Sequence, residues 1–385
     1  MTDAHAVPTA EAAAPLRWVM GGSIAMAVAI GVGRFLYTPI LPPMVAALGL
    51  SRFVAGLIAS ANFAGYLAGA VLGAGPRLSP RRWILGGLVG SAVTTGAMGL
   101  VRTLPMFLIL RAAGGVASAI VLVITCAAVL EALAERDRPD LGPFLFAGVG
   151  AGIAGSALLV SALRALGLPW PALWMGGAAL SLLGVLFCWN RIPARPSTRS
   201  TSRQIDHRRL GGRFTRLAVA YGLFGFGYII TATFLVAIVR SNPQTRAIES
   251  IVWVVFGCAA IPSVALWVAL ARRFGLSGAF ALAALTEALG VLASVAWSNI
   301  VGMLLGSVLA GGTFMGLTAL GLLRAQQLAK TAPQRGIALL TVAFGAGQIV
   351  GPTLAGALSD RMGSFTVPSL IAAAALVTSA GLIAI

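Results

Sequence analysis

Apolar runs of about 20 residues follow one another along nearly the whole chain, and they leave it few ways to fold. A helix needs about 20 mostly apolar residues to cross the hydrocarbon core of a bilayer. The sequence predicts twelve such helices, at roughly 18–48, 52–74, 83–101, 105–130, 143–165, 170–190, 215–239, 250–271, 278–297, 299–323, 337–358 and 366–385. A transmembrane β-barrel requires alternating segments of about 10 residues, and these runs are continuous, so a barrel is excluded. Composition agrees. Of 385 residues, 58% are hydrophobic and 10% charged, where soluble domains carry about 25% charged residues. A water-soluble enzyme is excluded on that ground. The 48 glycines suit helices that pack closely in lipid.

The polar joints set the expected organisation. The segment from Arg191 to Arg216 is the one long polar break, rich in Arg, Ser, Thr and Pro. It predicts four units: a tail over 1–17, a six-helix bundle over 18–190, a basic linker over 191–214 and a second six-helix bundle over 215–385. The linker reads either as a solvated positive joint or as a patch for anionic lipid. Basic residues mark the cytoplasmic side of short loops. With the N-terminus inside, the inner joints hold 19 of the 27 Lys+Arg and the outer ones hold 6, while Arg34 and Arg111 fall within helices. Both termini are therefore expected in the cytoplasm. Trp18, Trp83, Trp170, Trp189, Trp253 and Trp297 fall near helix ends, as an aromatic belt requires. Pro39, Pro42 and Pro43 are expected to bend or end the first helix. No cleaved signal peptide is expected, because the first 17 residues lack a basic stretch ahead of a short apolar core.

The net charge of +17 would point to nucleic acid in a soluble protein. Here the arginines are topology signals, and no nucleic-acid partner is expected. Cys126, Cys188 and Cys258 lie far apart inside apolar runs, and His5 and His207 lie in polar segments. Neither a metal site nor a cofactor is expected from them. There is no Walker loop and no nucleophile–base pair, so ATP-driven transport and catalysis have no support.

The two halves share spacing. Gly31-Val-Gly33-Arg34 corresponds to Gly225-Phe-Gly227-Tyr228 at an offset of 194; Gly114-Gly115 to Gly311-Gly312, and Gly148-Val-Gly150 to Gly345-Ala-Gly347, at 197. A common offset in runs of the same rank predicts two parallel repeats, the layout of transporters that rock two halves around a midplane site.

Several motifs then resemble those of major facilitator superfamily transporters, over essentially the full length. Gly73-Ala-Gly-Pro-Arg77-Leu-Ser-Pro80-Arg81-Arg82 is similar to the superfamily's G-x-x-x-D-R-x-G-R-R loop, with Arg77 in place of Asp and Pro80 in place of the second Gly. Arg272-Arg273-Phe-Gly275 also carries Arg in the Asp place. Arg111-Ala-Ala-Gly114-Gly115 resembles the R-x-x-x-G motif of antiporters. Gly347-Gln348-Ile-Val-Gly351-Pro352-Thr-Leu-Ala-Gly356 resembles the G-x-x-x-G-P-x-x-x-G antiporter motif, although that motif normally belongs to the fifth helix. The stretch Gly31-Val-Gly33-Arg34-Phe35-Leu36-Tyr37-Thr38-Pro39-Ile40-Leu41-Pro42-Pro43-Met44 resembles the first helix of the YbfB/YjiJ-like branch. The resemblance implies an all-α fold of twelve transmembrane helices in two six-helix pseudo-repeats, and residence in a bacterial inner membrane.

A charge inside a membrane helix costs several kcal/mol unless it faces a cavity or a partner. Three residues qualify. Arg34, midway along the first run, offers a guanidinium fork to an anionic solute; the alternative is a structural Arg bonded to helix carbonyls. Arg111 would face the cavity by resemblance, or would snorkel to the interface. Glu287 is the one acid well inside a run and the candidate proton carrier, although the superfamily places that helix at the periphery. Tyr37, Asn62, Tyr66, Tyr228, Thr231 and Gln348 complete the candidate substrate-binding or gating set, Tyr228 because it is the repeat mate of Arg34. Asn62 and Gln348 read equally as bonds between helices. The sequence as a whole predicts a secondary transporter of a small organic solute, coupled to protons or driven by the solute's own gradient, with export favoured by the antiporter-like motifs. The expected partners are that solute, protons and membrane lipid, and the chain is expected to act as a monomer. The alternative is a membrane sensor or lipid-handling protein on the same fold.

Overall fold

The computed structural model describes residues 14–73, 79–192, 211–297, 299–329 and 333–384. The loop motif at 74–78, most of the basic linker (193–210) and Lys330 lie outside the described residues. All regular structure among the described residues is helical. In chain order it comprises α1 (Ala14–Met26), a π-helical stretch (Ala27–Val32), α2 (Tyr37–Leu48), α3 (Arg52–Gly73), α4 (Pro80–Met98), α5 (Leu104–Ala134), α6 (Gly142–Ala165) and α7 (Trp170–Cys188). The second half comprises α8 (Gly212–Ser241), α9 (Glu249–Ala260), α10 (Ser263–Ala296), α11 (Ile300–Leu328), α12 (Pro333–Met362) and α13 (Thr366–Ala384). Short 3₁₀ turns at Pro139–Leu141 and Arg246–Ile248 lead into α6 and α9. Among the described residues, 10 helical segments are long and apolar enough to cross a membrane. α4, which opens on Arg81 and Arg82 and carries Ser91, Thr94 and Thr95, and the short α9 fall outside that count.

Two expectations about helix ends need correction. The prolines do not break the first helix, because Pro42 and Pro43 sit inside α2. The irregularity lies about two to four turns before Pro42, in the π stretch and the turn at 33–36. A proline removes the donor to the carbonyl four residues back and crowds that carbonyl. Pro39 therefore loosens the turn at Phe35 rather than the chain that follows it. The run at 250–271 is likewise not one helix. α9 stops at Ala260, Pro262 caps α10, and α10 continues past Arg272 and Arg273 to Ala296, turning at Gly275 with φ 72° and ψ 165°. That positive φ is open to glycine without strain.

The packing groups α1 to α7 together and α8 to α13 together, with seams where α3 meets α12, α6 meets α9 and α2 meets α8. A Cβ on Gly56 of α3 would run into the Pro352 carbonyl of α12, so glycine sets the closeness of that seam. Ser60 on the same face donates to the Ile349 carbonyl at 2.6 Å and meets the Thr353 hydroxyl at 2.8 Å. The outward faces are apolar: α7 exposes Leu182, Leu183, Leu186 and Phe187. In water such a surface would be a liability; it fits a hydrocarbon surround. Trp83, Trp189 and Trp297 are exposed near helix ends, as a belt requires, whereas Trp253 is fully buried against Phe35 and Phe256 and is a core residue.

Contacts between joints identify two faces. Arg81 reaches Asn190 at 3.0 Å, Arg191 abuts Gly21 of α1 and Arg136 lies over Trp18, which gathers the arginine-rich joints of the first half on one face. The joints near Arg52, Arg164, Arg240, Glu249 and Asp360 meet on the other, which carries fewer arginines.

Candidate functional site

The site begins with the irregular backbone of the first helix. The shift from π stretch to turn leaves the Gly33 and Arg34 carbonyls without a backbone N–H partner among the described residues; Thr38 N–H goes to Phe35 O instead. Buried carbonyls need donors. Arg111, from α5, supplies both: its Nη1 donates to Gly33 O and its Nη2 to Arg34 O, each at 3.2 Å. Its guanidinium also lies 4.9 Å from the Tyr37 ring centroid. Asn62 of α3 holds Arg111 from the far side, Nδ2 donating to the Arg111 carbonyl at 2.9 Å. Tyr37 donates its hydroxyl to the Ala55 carbonyl at 2.9 Å. Arg111, Tyr37 and Asn62 thus form a brace around the turn.

The braced turn presents Arg34. Its guanidinium carbon lies 4.4 Å from the Phe63 ring centroid and 4.5 Å from that of Tyr66. Its Nε and Nη2 have no hydrogen-bond partner among the described residues, although the residue is only 6% exposed. Desolvated cation–π contacts are worth about 2 kcal/mol each, and inserting an Arg at mid-helix costs about 2.5–3.5 kcal/mol on insertion scales. Two rings therefore roughly offset the cost of burying the guanidinium, and Arg34 has N–H donors to offer. A guanidinium with open N–H groups is suited to a carboxylate or phosphate.

The second half faces it with rings. Phe314 of α11 lies 5.9 Å from Phe35 and stacks on Tyr228 of α8 at 5.8 Å; Tyr228 also stacks on Phe344 of α12 at 5.7 Å. Gln348 donates Nε2 to the Tyr228 hydroxyl, and its Oε1 is left without a partner among the described residues. Thr231 lies one turn along α8, buried, its hydroxyl also unpartnered. Glu287 of α10 is buried beside Thr313 of α11, with Oε2 unpartnered. The Tyr228 hydroxyl lies within electrostatic reach of both the Arg34 guanidinium and the Glu287 carboxyl. The structure therefore brings Arg34 to Tyr66 and Tyr228 to Gln348 on facing sides, sets Glu287 beside Thr313 between α10 and α11, and leaves Arg111, Tyr37 and Asn62 in the brace.

Sequence reasoning missed a second constellation, at the arginine-poor face. Glu249 of α9 accepts from Arg164 Nη1 of α6 at 2.7 Å and from Arg240 Nη1 of α8 at 3.2 Å. Asp360 of α12 accepts from the backbone N–H groups of Arg52 (3.0 Å) and Phe53 (2.8 Å) at the start of α3. There a carboxylate also meets the positive end of the helix dipole. Arg52 Nη1 donates to the Ser359 carbonyl at 2.7 Å. Each constellation ties the first half to the second. A signal existed: Glu249 and Asp360 are the two acids that the charge map puts on the outer joints. Among the described residues no cluster of His, Cys, Asp and Glu could hold a metal.

A buried charge at the centre of a lipid-facing helical bundle, with the two halves joined by latches, sets the context for comparison with known proteins. The family model described as "Uncharacterised MFS-type transporter YbfB" matches residues 26–384. The chain belongs to this family. No curated protein matches it in sequence. Among solved structures, the nucleoside transporter NupG superposes with a TM-score of 0.72 at 16% identity, over 96% of this chain and 98% of that one. A point mutant of NupG gives 0.73 at 16%, over 95% and 99%. A bacterial homologue of the human lysosomal transporter Spinster, in an inward-facing and occupied conformation, gives 0.68 at 14%, over 96% and 93%. These likenesses show a shared fold. The family and the structural neighbours are transporters and not enzymes, and this MFS-type chain is a multi-pass membrane protein of the secondary transporter class.

Proposed function

We propose that this MFS-type chain moves a small organic anion across the bacterial inner membrane by alternating access, with the anionic group held by Arg34. The observation that carries this reading is the buried Arg34 guanidinium, flanked by rings and left with unpartnered nitrogens where the two halves meet. Tyr66, Tyr228, Gln348 and Thr231 would contact the solute, and Arg111, Tyr37 and Asn62 would fix the turn that presents Arg34. Twelve spans arranged as two six-helix repeats follow if α4 crosses the bilayer and if α9 with the start of α10 makes one span and the rest of α10 another; the turn at Gly275 supports that division. The asymmetry of 19 against 6 basic residues supports cytoplasmic termini, with the arginine-rich face inside. In that orientation the latches close the outer side.

Coupling to protons through Glu287 is supported by its burial and its reach to Tyr228. Export is favoured by the antiporter-like motifs around Arg111 and Gly347. A monomer suffices, since both halves lie in one chain. The test is flux in proteoliposomes of wild type, Arg34→Gln and Glu287→Gln, with organic acids as solutes and an internal pH dye. The expected result is flux lost in Arg34→Gln, and solute movement without proton movement in Glu287→Gln. Wild-type flux in a folded Arg34→Gln protein overturns the site.

A further inference from the structure

At the arginine-poor face a pocket of about 230 Å³ opens between the halves. Leu41 and Val45 of α2, Phe234 of α8 and Phe365 make its apolar wall, and its charged lining residues are Arg52 and Arg240. No carboxylate lines it, although Glu249 and Asp360 sit in the adjoining latches. The lining thus combines an apolar wall with two cations, one from each half. The volume falls below the ~300 Å³ floor of drug-sized sites, so an occupant must be small.

Both arginines are engaged, but lightly. Arg240 meets Glu249 through Nη1, and Arg52 meets the Ser359 carbonyl through Nη1 while lying 5.1 Å from the Phe365 ring centroid. A guanidinium carries five N–H donors, so each can begin donating to an incoming oxygen while still bonded to its partner, and only then be drawn off it. Side chains of Arg164 and Arg240 are 33% exposed, and ion pairs that keep water contact are weak. A carboxylate that offers two oxygens to a guanidinium competes well with a single-contact pair.

We propose that this pocket is a second binding site, for a small amphipathic monocarboxylate, and that filling it loosens the closure between the halves. The carboxylate lies against Arg240 and Arg52, and the apolar body lies against Leu41, Val45, Phe234 and Phe365. Drawing Arg240 away from Glu249 and Arg52 away from Ser359 weakens both latches together. They sit on different seams, α6–α9–α8 and α3–α12, so one ligand between them acts on both. The proposal rests on the reading that the solute is an organic anion, and it narrows that solute to a small apolar body with one negative charge.

The experiment uses the full-length chain in detergent, with Ala237→Cys introduced in the pocket lining as a maleimide-labelling site and Ser60→Cys as a separate reporter of the α3–α12 seam. The probe is benzoate, with benzyl alcohol, succinate and phosphatidylglycerol micelles as comparisons. Benzoate is expected to slow labelling of Ala237→Cys at least threefold and to speed labelling of Ser60→Cys. The protection should weaken about tenfold in Arg240→Gln, weaken also in Arg240→Lys, which keeps the charge and loses the fork, and survive in Arg34→Gln. Equal protection by benzyl alcohol makes the pocket merely apolar and overturns the proposal. Protection by phosphatidylglycerol but not benzoate assigns the arginines to a lipid headgroup and overturns it too. Protection lost in Arg34→Gln yet kept in Arg240→Gln places the anion at the central site alone; the pocket then falls while the transport reading stands. Absence of protection by any probe also overturns the pocket, and unchanged Ser60→Cys labelling overturns the loosening. Wild-type flux in Arg34→Gln proteoliposomes would sink the transport reading independently of all these results.

Discussion

The regions around Arg111 and Arg34 start from the same residue type at similar burial, 3% and 6% exposed, and they differ in what their terminal nitrogens meet. At Arg111 the guanidinium satisfies two carbonyls that the irregular first helix could not satisfy itself. At Arg34 two nitrogens have no hydrogen-bond partner among the described residues, and the charge is held by the faces of Phe63 and Tyr66. Both guanidinium groups also meet ring faces, Arg111 at Tyr37 and Arg34 at Phe63 and Tyr66, and each has an Nε unpartnered among the described residues; the difference is that both Nη groups of Arg111 are spent on carbonyls while Nη2 of Arg34 is left open. A buried cation can therefore be structural or available for a ligand, and the bonding of its terminal nitrogens separates the two cases. The regions also depend on each other: the brace at Arg111 fixes the turn from which Arg34 projects.

The largest effect should come from breaking the brace. Arg111→Leu leaves two buried carbonyls without donors, and hydrogen bonds to a charged group are worth about 1.5–3 kcal/mol each. The variant is expected to lose about 3 kcal/mol and to melt roughly 5 °C or more below wild type in detergent. A melting temperature equal to wild type would remove the structural role assigned to Arg111.

Arg34→Gln should do the reverse. Affinity for the proposed organic anion should fall about tenfold or more, about 1.4 kcal/mol, while the unliganded protein melts within roughly 2 °C of wild type. Arg34→Lys should also bind weakly, since an ammonium lacks the planar fork. If Arg34→Gln melts as low as Arg111→Leu, the two regions do not differ in kind.

Tyr66→Leu removes one of the two rings. A double-mutant cycle with Arg34→Gln should give a coupling of about 1 kcal/mol in the thermal unfolding of the unliganded protein. Strict additivity would mean the ring does not hold the charge. The smallest effect is expected for Asn62→Ala, which removes one bond between helices, worth about 0.6 kcal/mol. It should lower the melting temperature slightly and leave anion affinity within about twofold of wild type; a tenfold loss of affinity would move Asn62 from the brace into the binding site.

Much of this was legible in order along the chain. Run length and composition marked the chain as a membrane protein, and the loop motifs, the glycine offsets and the first-helix stretch pointed to the superfamily to which the chain belongs. Arg34, Arg111 and Glu287 stood out because charge in lipid is costly wherever it sits. The latches were less legible. Glu249 and Asp360 look like ordinary joint acids, and their partners Arg164, Arg240 and Arg52 look like ordinary joint arginines, with the Arg164–Glu249 pair 85 residues apart. The break in the first helix was expected at the prolines and falls before them, because a proline disturbs the turn behind it.

By itself the sequence determined that helices must form and that they must lie in lipid: both follow from the length and polarity of continuous segments, which are local properties. It also determined which residues would be costly to bury. Only the tertiary structure decided how that cost is met, by carbonyls at Arg111 and by ring faces at Arg34, and only it showed that Glu249 is buried as well, between two arginines. The reason is physical. A buried charge is stabilised by groups within a few ångströms, and in a bundle of antiparallel helices those groups come from segments tens to hundreds of residues away, brought together by packing that no local pattern records.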